Sequence, residues 1–321
     1  MIGSGVDRLV HYSLCVRDDR ARDVLTWQFA TSVQSLRAYN SGITVALFVH
    51  GTAPPGVIEV CRAFDVVPLD GGDYERRLEA LCPTGWAALS HHPLLHKFLN
   101  FSGMALDRLS QVLFCDVDTI FFRDVEEVFD AYGGPDVVAR EEVHSSRSHH
   151  GPDPGFIDEV LLRDLARHEG LAFIPPVNTG VVLFSRRAAQ SMALLEGVFL
   201  DYAWRFLCWE AMHPASGPAA AYGELDAAVF ARSLVGPTEE ARALPFPSTN
   251  RWLLDEAAFW LTLGHIRGLH VADFRRVDVA QGGEFDPYRR TAREPILYHY
   301  FSQNTQRIHD LVVDRAAVAG A

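Results

Sequence analysis

Lysine is almost missing from this sequence. Of its 29 basic residues Lys97 is the one lysine and the rest are arginine. Any chemistry that needs a lysine ammonium has this single candidate. Cysteine is scarce as well. The five, Cys15, Cys61, Cys82, Cys115 and Cys208, are odd in number and no two stand at CxxC spacing. That excludes a structural zinc of the CxxC kind and fits a reducing compartment. Cys15 and Cys115 lie in apolar runs, where a thiol behaves as a small hydrophobe. Positive charge is short too: 29 basic against 41 acidic residues leave a net charge of −12. Nucleic acid and anionic membranes are thereby disfavoured as main partners, while a local basic pocket for a phosphorylated substrate is not. No apolar run reaches about 18 residues, so no membrane span is expected. The opening "MIGSGVDRLVHYSLCVRDD" lacks the apolar core of a signal peptide, and the cytoplasm is the expected location. Neither an internal repeat nor a low-complexity linker breaks the chain. One continuous domain is expected, with a 1–124 half and a 125–321 half meeting near Arg123.

What is present is a soluble, core-forming composition: 48% hydrophobic and 22% charged over 321 residues. "RLVHYSLCV" reads as a buried first strand. Leu25, Phe29, Val33 and Leu36 then recur at helical spacing within Val24 to Tyr39, and "NSG" stops that helix. "ITVALFVH" is a second strand, "GTAPPG" a turn, and "VIEVCRAFDVVPL" reads as strand or strand plus turn. This β-α-β opening predicts an α/β fold with a mostly parallel central sheet flanked by helices. Pro93 to Ser110 reads as one helix or two short ones broken near Gly103. "DVVAR", "PPVNTGVVLFS" and "PILYHYF" read as later strands, Ala188 to Ala211 as a long helix, "ELDAAVFARSL" as a short one, and Ser302 to Val318 as a closing helix. Glu141 to Gly155 is polar and without period, a surface loop expected to close over an acceptor.

The stretch that carries chemistry is "VLFCDVDTIFF", Val112 to Phe122. A carboxylate in an apolar strand is costly unless something pairs with it, and here Asp116 and Asp118 stand one residue apart. Residues i and i+2 point to the same side of a strand. Ligands of open α/β sheets bind at the carboxyl ends of the strands. Two carboxylates on one side repel unless a cation lies between them, and a divalent ion such as Mg²⁺ or Mn²⁺ also holds a diphosphate. The pattern points to a metal–diphosphate site. The plainer alternative is a pair of solvated strand-end carboxylates, one capping the next turn.

"QVLFCDVDTIFFRDVEEVFD" resembles the Asp-x-Asp segment of GT-A-type, nucleotide-diphospho-sugar glycosyltransferases, and is most similar to the retaining glycogenin- and galactosyltransferase-like group. "PPVNTGVVLFSRRA" resembles that group's Asn-[Ala/Thr]-Gly strand, "YGELDAAVF" its acidic helix start beside the donor sugar, and "LYHYFSQNTQRIHD" its late metal-ligand strand. The pieces come in family order over some 300 residues. The resemblance implies a GT-A (Rossmann-like) fold and transfer of a sugar from a UDP-sugar to an acceptor hydroxyl with retention, with Mn²⁺ or Mg²⁺ as cofactor. The acceptor would be a glycan, a lipid-linked sugar or a small molecule. It further implies that Asp116, Asp118 and His299 hold the metal, that Asp116 and Val117 lie near the nucleotide, and that Asn178 touches sugar hydroxyls or the acceptor. Glu224 and Asp226 compete for the place beside the reacting carbon. Lys97 binds a phosphate or the donor sugar, and Cys15, Val16 and Arg17 contact the base through their backbone, with Asp18 and Asp19 following. The group carries Gly and Lys where this sequence has Ser302 and Thr305, and Arg307 is the expected substitute for that lysine. Its usual glutamine in the acidic helix is Leu225 here.

Two other classes share parts of the pattern. "FCDVDTI" also looks like the first motif of haloacid-dehalogenase-type phosphatases, with Asp116 as nucleophile. That group needs a Lys or Arg downstream and then an acidic pair. The lysine here lies upstream, Thr119 comes one place early, and no acidic pair ends a later apolar strand. A non-catalytic sugar-nucleotide-binding relative is the third reading, against which the intact Asp116, Asp118 and His299 set argues. His91, His92, His144, His149 and His150 sit in loops without ligand spacing and do not read as a second metal site.

Overall fold

The computed structural model describes residues 7–15, 19–69, 72–83, 89, 97–142, 145–146, 157–172, 174, 177–212, 254–289, 293–300 and 307–313. Strand β1 (Arg8–Cys15) leads through helix α1 (Asp19–Tyr39) to β2 (Thr44–His50). Then come α2 (Pro55–Ala63), β3 (Val66–Leu69) and α3 (Gly72–Leu81). β4 (Gln111–Cys115), β5 (Thr119–Phe121), α4 (Glu126–Ala131) and β6 (Val137–Glu141) follow. After the short β7 (Ser145–Ser146) and β8 (Ile157–Asp158) come α5 (Glu159–His168), β9 (Val177–Ser185), α6 (Arg186–Leu194) and α7 (Glu196–Met212). Then come α8 (Leu254–Gly264), β10 (Val271–Asp273), β11 (Val279–Gln281) and β12 (Leu297–His299), and the described residues 307–313, within the expected closing helix, are helical.

Seven strands form the main sheet in the order β10-β6-β9-β4-β1-β2-β3. Every pairing in it is parallel except the two made by β9, which runs antiparallel to both β4 and β6. Strands from both sides of Arg123 share this sheet. A second sheet of three strands, β11-β12-β5, stands beside it. The central strands are apolar throughout because helices cover both faces: all five residues of β4 and eight of the nine in β9 are buried. On α1, Phe29, Val33 and Leu36 turn inward together with Gln28, Thr31, Ser32 and Ser35.

Two elements differ from the sequence reading. The segment from Pro55 is a helix followed by a strand, not a strand throughout. Pro55 at its first position fixes φ where no N–H is needed, and Val57 and Cys61, four apart, face the sheet. Asp65, at a φ of 51°, turns the chain into β3. Before β4 the described residues hold two short 3₁₀ turns, Phe101–Gly103 and Leu106–Arg108, separated just after Gly103, while Pro93 to His96 lie outside the described residues. The long helix from Ala188 is two helices, broken at Leu195. The sequence reading also passed over α8, β10 and β11. Among the described residues Cys15, Cys61, Cys82 and Cys115 are free thiols, and no helix is long and apolar enough to cross a membrane.

Phe98 organises the core beneath the site. Its ring stacks on Phe259 of α8, centroids 4.2 Å apart and 15° from parallel. It also meets Phe114, Phe184 and Phe199 at 5.2, 6.1 and 6.3 Å. Lys97 is thereby tied to the helix that begins with Asp255 and Glu256.

Candidate metal and donor site

The run Val112–Phe122 is two strands, not one. β4 ends at Cys115 in the large sheet and β5 begins at Thr119 in the small one, so Asp116, Val117 and Asp118 form the crossing between sheets. The crossing is tightly bonded. Asp116 N–H donates to the Gly180 carbonyl at 2.7 Å and Tyr300 N–H to the Asp118 carbonyl at 3.0 Å. Thr119 Oγ1 donates to the Asp116 carbonyl at 2.8 Å, and Thr119 continues through Ser32 to Tyr12 in a buried hydroxyl chain.

β12 runs antiparallel to β5 and sets His299 opposite Thr119. Its Nε2 lies 3.3 Å from Asp118 Oδ1 and 3.9 Å from Asp116 Oδ2. One ligand atom from each of Asp116, Asp118 and His299 falls within 4.8 Å of the others. Two carboxylates and one imidazole suit a divalent ion of the Mn²⁺ or Mg²⁺ kind, Mn²⁺ better because of the nitrogen. Gly180 makes the room. A Cβ there would overlap the Cε1, Nδ1 and Nε2 atoms of the His299 ring.

Lys97 closes the other side. Its Nζ donates to Asp116 Oδ2 at 2.7 Å and lies 3.4 Å from Asp255 Oδ2. Burial works against the Lys97 charge, but Asp116 and Asp255 outweigh it and hold the ammonium protonated, its pKa raised. Burial is also the largest influence on Asp116; with Asp118 it outweighs Lys97 and His299 and lifts the carboxyl to about 6. A carboxylate so placed gains from a nearby cation.

Neither a protein-family model nor a curated protein sequence matches the chain. Solved structures do. Mouse xyloside xylosyltransferase 1, apo form, aligns over 94% of this chain and 99% of its own, at 13% identity and TM-score 0.51. An active-site mutant of LgtC aligns over 95% of both chains at 10% identity and TM-score 0.49. The glycosyltransferase GlyE of Streptococcus pneumoniae TIGR4 aligns over 98% of this chain and 63% of its own, at 12% identity and TM-score 0.48.

The fold is GT-A.

The expected site residues take up the following positions in it. Asp116, Asp118 and His299 come together, and Lys97 joins them. Cys15 is the buried end of β1, paired with His50 of β2 at the same sheet edge. Val117 turns its side chain into the core under α1, leaving its backbone at the crossing. Arg307 stacks on the Tyr288 ring, its guanidinium carbon 3.8 Å from the centroid. Asn178 is a strand residue of β9 and 7% exposed. Its Oδ1 accepts from Gly180 N–H at 3.0 Å, and its Nδ2 donates to Glu142 Oε2 at 2.8 Å. Asp19 begins α1. Val16, Arg17, Asp18, Glu224, Asp226, Leu225, Ser302, Thr305 and the five loop histidines lie outside the described residues, as does most of the loop after Glu142.

Three acids were not singled out from sequence. Asp255 and Glu256 open α8 and reach back to β9: Thr179 Oγ1 donates to Asp255 Oδ2 at 3.1 Å, and Asn178 Nδ2 and Thr179 N–H lie 3.4 Å from Glu256 Oε1. Glu142 follows β6 and meets the same Asn178. "LDEAAFW" shares with "ELDAAVF" only an acid directly before Ala-Ala; it opens an apolar helix in which Asp255 and Glu256 are buried.

Proposed function

We propose that this protein is a metal-dependent glycosyltransferase that moves a sugar from a nucleoside diphosphate, UDP first among candidates, to an acceptor hydroxyl, with retention at the anomeric carbon. The observation that carries the reading is the convergence of Asp116, Asp118 and His299 within 4.8 Å at the carboxyl edge of the main sheet, on the GT-A fold. These three would hold Mn²⁺ or Mg²⁺, which when bound stabilises negative charge on a leaving diphosphate. Cys15 at the end of β1 marks the base-binding edge. Lys97 supplies the fixed positive charge beside Asp116. Asn178, Asp255 and Glu256 line the adjoining floor and are assigned to the donor sugar, Asn178 to its hydroxyls and Asp255 and Glu256 to the place beside the reacting carbon that the sequence reading gave to Glu224 and Asp226. A glycan, lipid-linked or small-molecule acceptor would enter opposite them. The phosphatase alternative gains nothing from the described residues, where Asp116 faces Lys97, Asp118 and His299.

Calorimetric titration of UDP tests the reading. With Mn²⁺ present UDP binds the wild type, and with EDTA or in Asp118→Ala binding falls at least about tenfold, the usual minimum when a buried charge-assisted contact is lost. A panel of UDP-sugars assayed for hydrolysis then identifies the donor. If UDP and its purine counterparts all fail to bind with metal present, the transferase reading is wrong, and p-nitrophenyl phosphate hydrolysis becomes the next assay.

A further inference from the structure

Two carboxylates converge on one amide at the floor of the site. Glu142, 2% exposed, and Glu256, 5% exposed, both face Asn178. Asn178 Nδ2 is 2.8 Å from Glu142 Oε2 and 3.4 Å from Glu256 Oε1. The amide cannot turn to relieve them, because its oxygen accepts from Gly180 N–H at 3.0 Å. Thr179 gives Glu256 Oε1 its N–H at 3.4 Å, while its hydroxyl proton goes to Asp255 Oδ2 at 3.1 Å. Glu256 Oε2 is buried and has no hydrogen-bond donor among the described residues. Two ionised carboxylates cannot both be kept in such a place. Like charges at this range disfavour joint ionisation, and burial adds to the cost.

We propose that Glu142 and Glu256 share one proton, so that Glu256 stands in the site as a neutral acid that donates a hydrogen bond, and that Glu142 is the positioning residue that keeps it so. Burial first, and then the charge of Glu142 and of Asp255, push the Glu256 carboxyl well above the usual range, with Lys97 pulling the other way. Charged groups on the other elements packed against α8 are engaged elsewhere: on α7 Glu196 pairs with Arg77 and Asp201 with Arg205, and after α5 Glu169 takes Tyr202 and Arg205. The chemical consequence is specific. A protonated Glu256 offers an O–H to a sugar hydroxyl or ring oxygen and is not a nucleophile toward the anomeric carbon. The proton state stands on the buried geometry alone; its place in sugar transfer rests on the function proposed above.

Infrared difference spectroscopy on the metal-free protein carrying ¹³C-glutamate tests it. Wild type at pH 7 is expected to show one protonated glutamate carbonyl band, which Glu256→Gln removes. In Glu142→Gln the neighbouring charge is gone, and the band is expected to titrate about one pH unit or more lower. Absence of the band from wild type at pH 7, or its persistence in Glu256→Gln, overturns the proposal, and so does an unmoved midpoint in Glu142→Gln. The wild-type spectrum needs no variant to fold. UDP titration on the same sample separates the two ideas. A band without UDP binding defeats the transferase reading alone, and UDP binding without a band defeats the shared proton alone.

Discussion

At the scale of single residues, Gly180 and His11 carry predictions of different kinds. Gly180→Ala places a methyl where the His299 ring lies, so the imidazole must leave the position facing Asp118. Loss of orientation around a metal ligand costs 10–100-fold in affinity in general. Gly180→Ala is expected to weaken Mn²⁺ binding by about that factor, measured by Mn²⁺ titration, while the fold survives. Unchanged affinity would mean that His299 is no ligand. His11 concerns stability. It is fully buried, its Nε2 is 2.9 Å from Asn100 Oδ1, and burial drives its pKa from 6.5 to about 3. The folded state holds it neutral, so its contribution is complete above pH 6.5 and is lost as pH falls toward 3, on the order of 5 kcal/mol across the interval. Glu256 acts in the opposite sense. Its raised pKa favours folding at low pH, a contribution lost as pH rises above the unfolded value. Urea midpoints at pH 7 and pH 4.5 separate them: His11→Gln reduces the acid loss and Glu256→Gln does not. Asp116 and Asp118 were legible in the sequence because a carboxylate in an apolar run demands a partner. Asp255 and Glu256 were not, because acids at a helix start are what the helix dipole favours on any surface, and only burial distinguishes them.

Among the elements, the aromatic stack of Phe98 on Phe259 decides where the site's cation sits. It fixes Lys97 against α8, and so sets the Lys97–Asp255 separation at 3.4 Å. Phe98→Ala removes a fully buried ring from the centre of a five-ring cluster and is expected to cost about 3–5 kcal/mol in denaturant unfolding. It should also weaken donor binding, since Lys97 loses its anchor. Leu194→Ala, at a residue 86% exposed, should change stability by no more than about 0.5 kcal/mol. Equal effects from the two would mean the stack bears no special weight. The helix α1 and strands β1, β2 and β9 were legible because their apolar periods are unmixed. The segment at Pro55 was not, since the apolar pairs Val57-Ile58 and Val60-Cys61 around Glu59 satisfy a strand pattern as well as a helical one. Neither was the break between β4 and β5. Its residues read as one apolar run, and the pairing that splits them comes from β12, some 180 residues later in the chain.

Over the whole molecule, the site is a joint between two sheets. Asp116 follows β4 and is bonded to β9 in the seven-stranded sheet, while Asp118 precedes β5 and is bonded to Tyr300 after β12 of the three-stranded one. A ligand held by Asp116, Asp118 and His299 therefore connects both sheets, and its binding energy adds to the stability of the whole fold. It also relieves an electrostatic load. In a protein of net charge −12, Asp116, Asp255 and Glu256 crowd around the one lysine. Linkage gives the size of the effect. Ligand at about 100 times its Kd stabilises a folded protein by about 2.7 kcal/mol when only the folded state binds. With Mn²⁺ and UDP together at that level, thermal unfolding of the wild type should shift upward by about 5–10 °C, at about 2–4 °C per kcal/mol of stabilisation for larger domains. Asp118→Ala should lose that shift, and Asp130→Asn, whose carboxylate pairs with Arg8 at the starting end of β1, the opposite edge of the sheet, should keep it. A shift confined to one unfolding phase, with a second phase unmoved by ligand, would show that the sheets unfold separately and that the site does not join them.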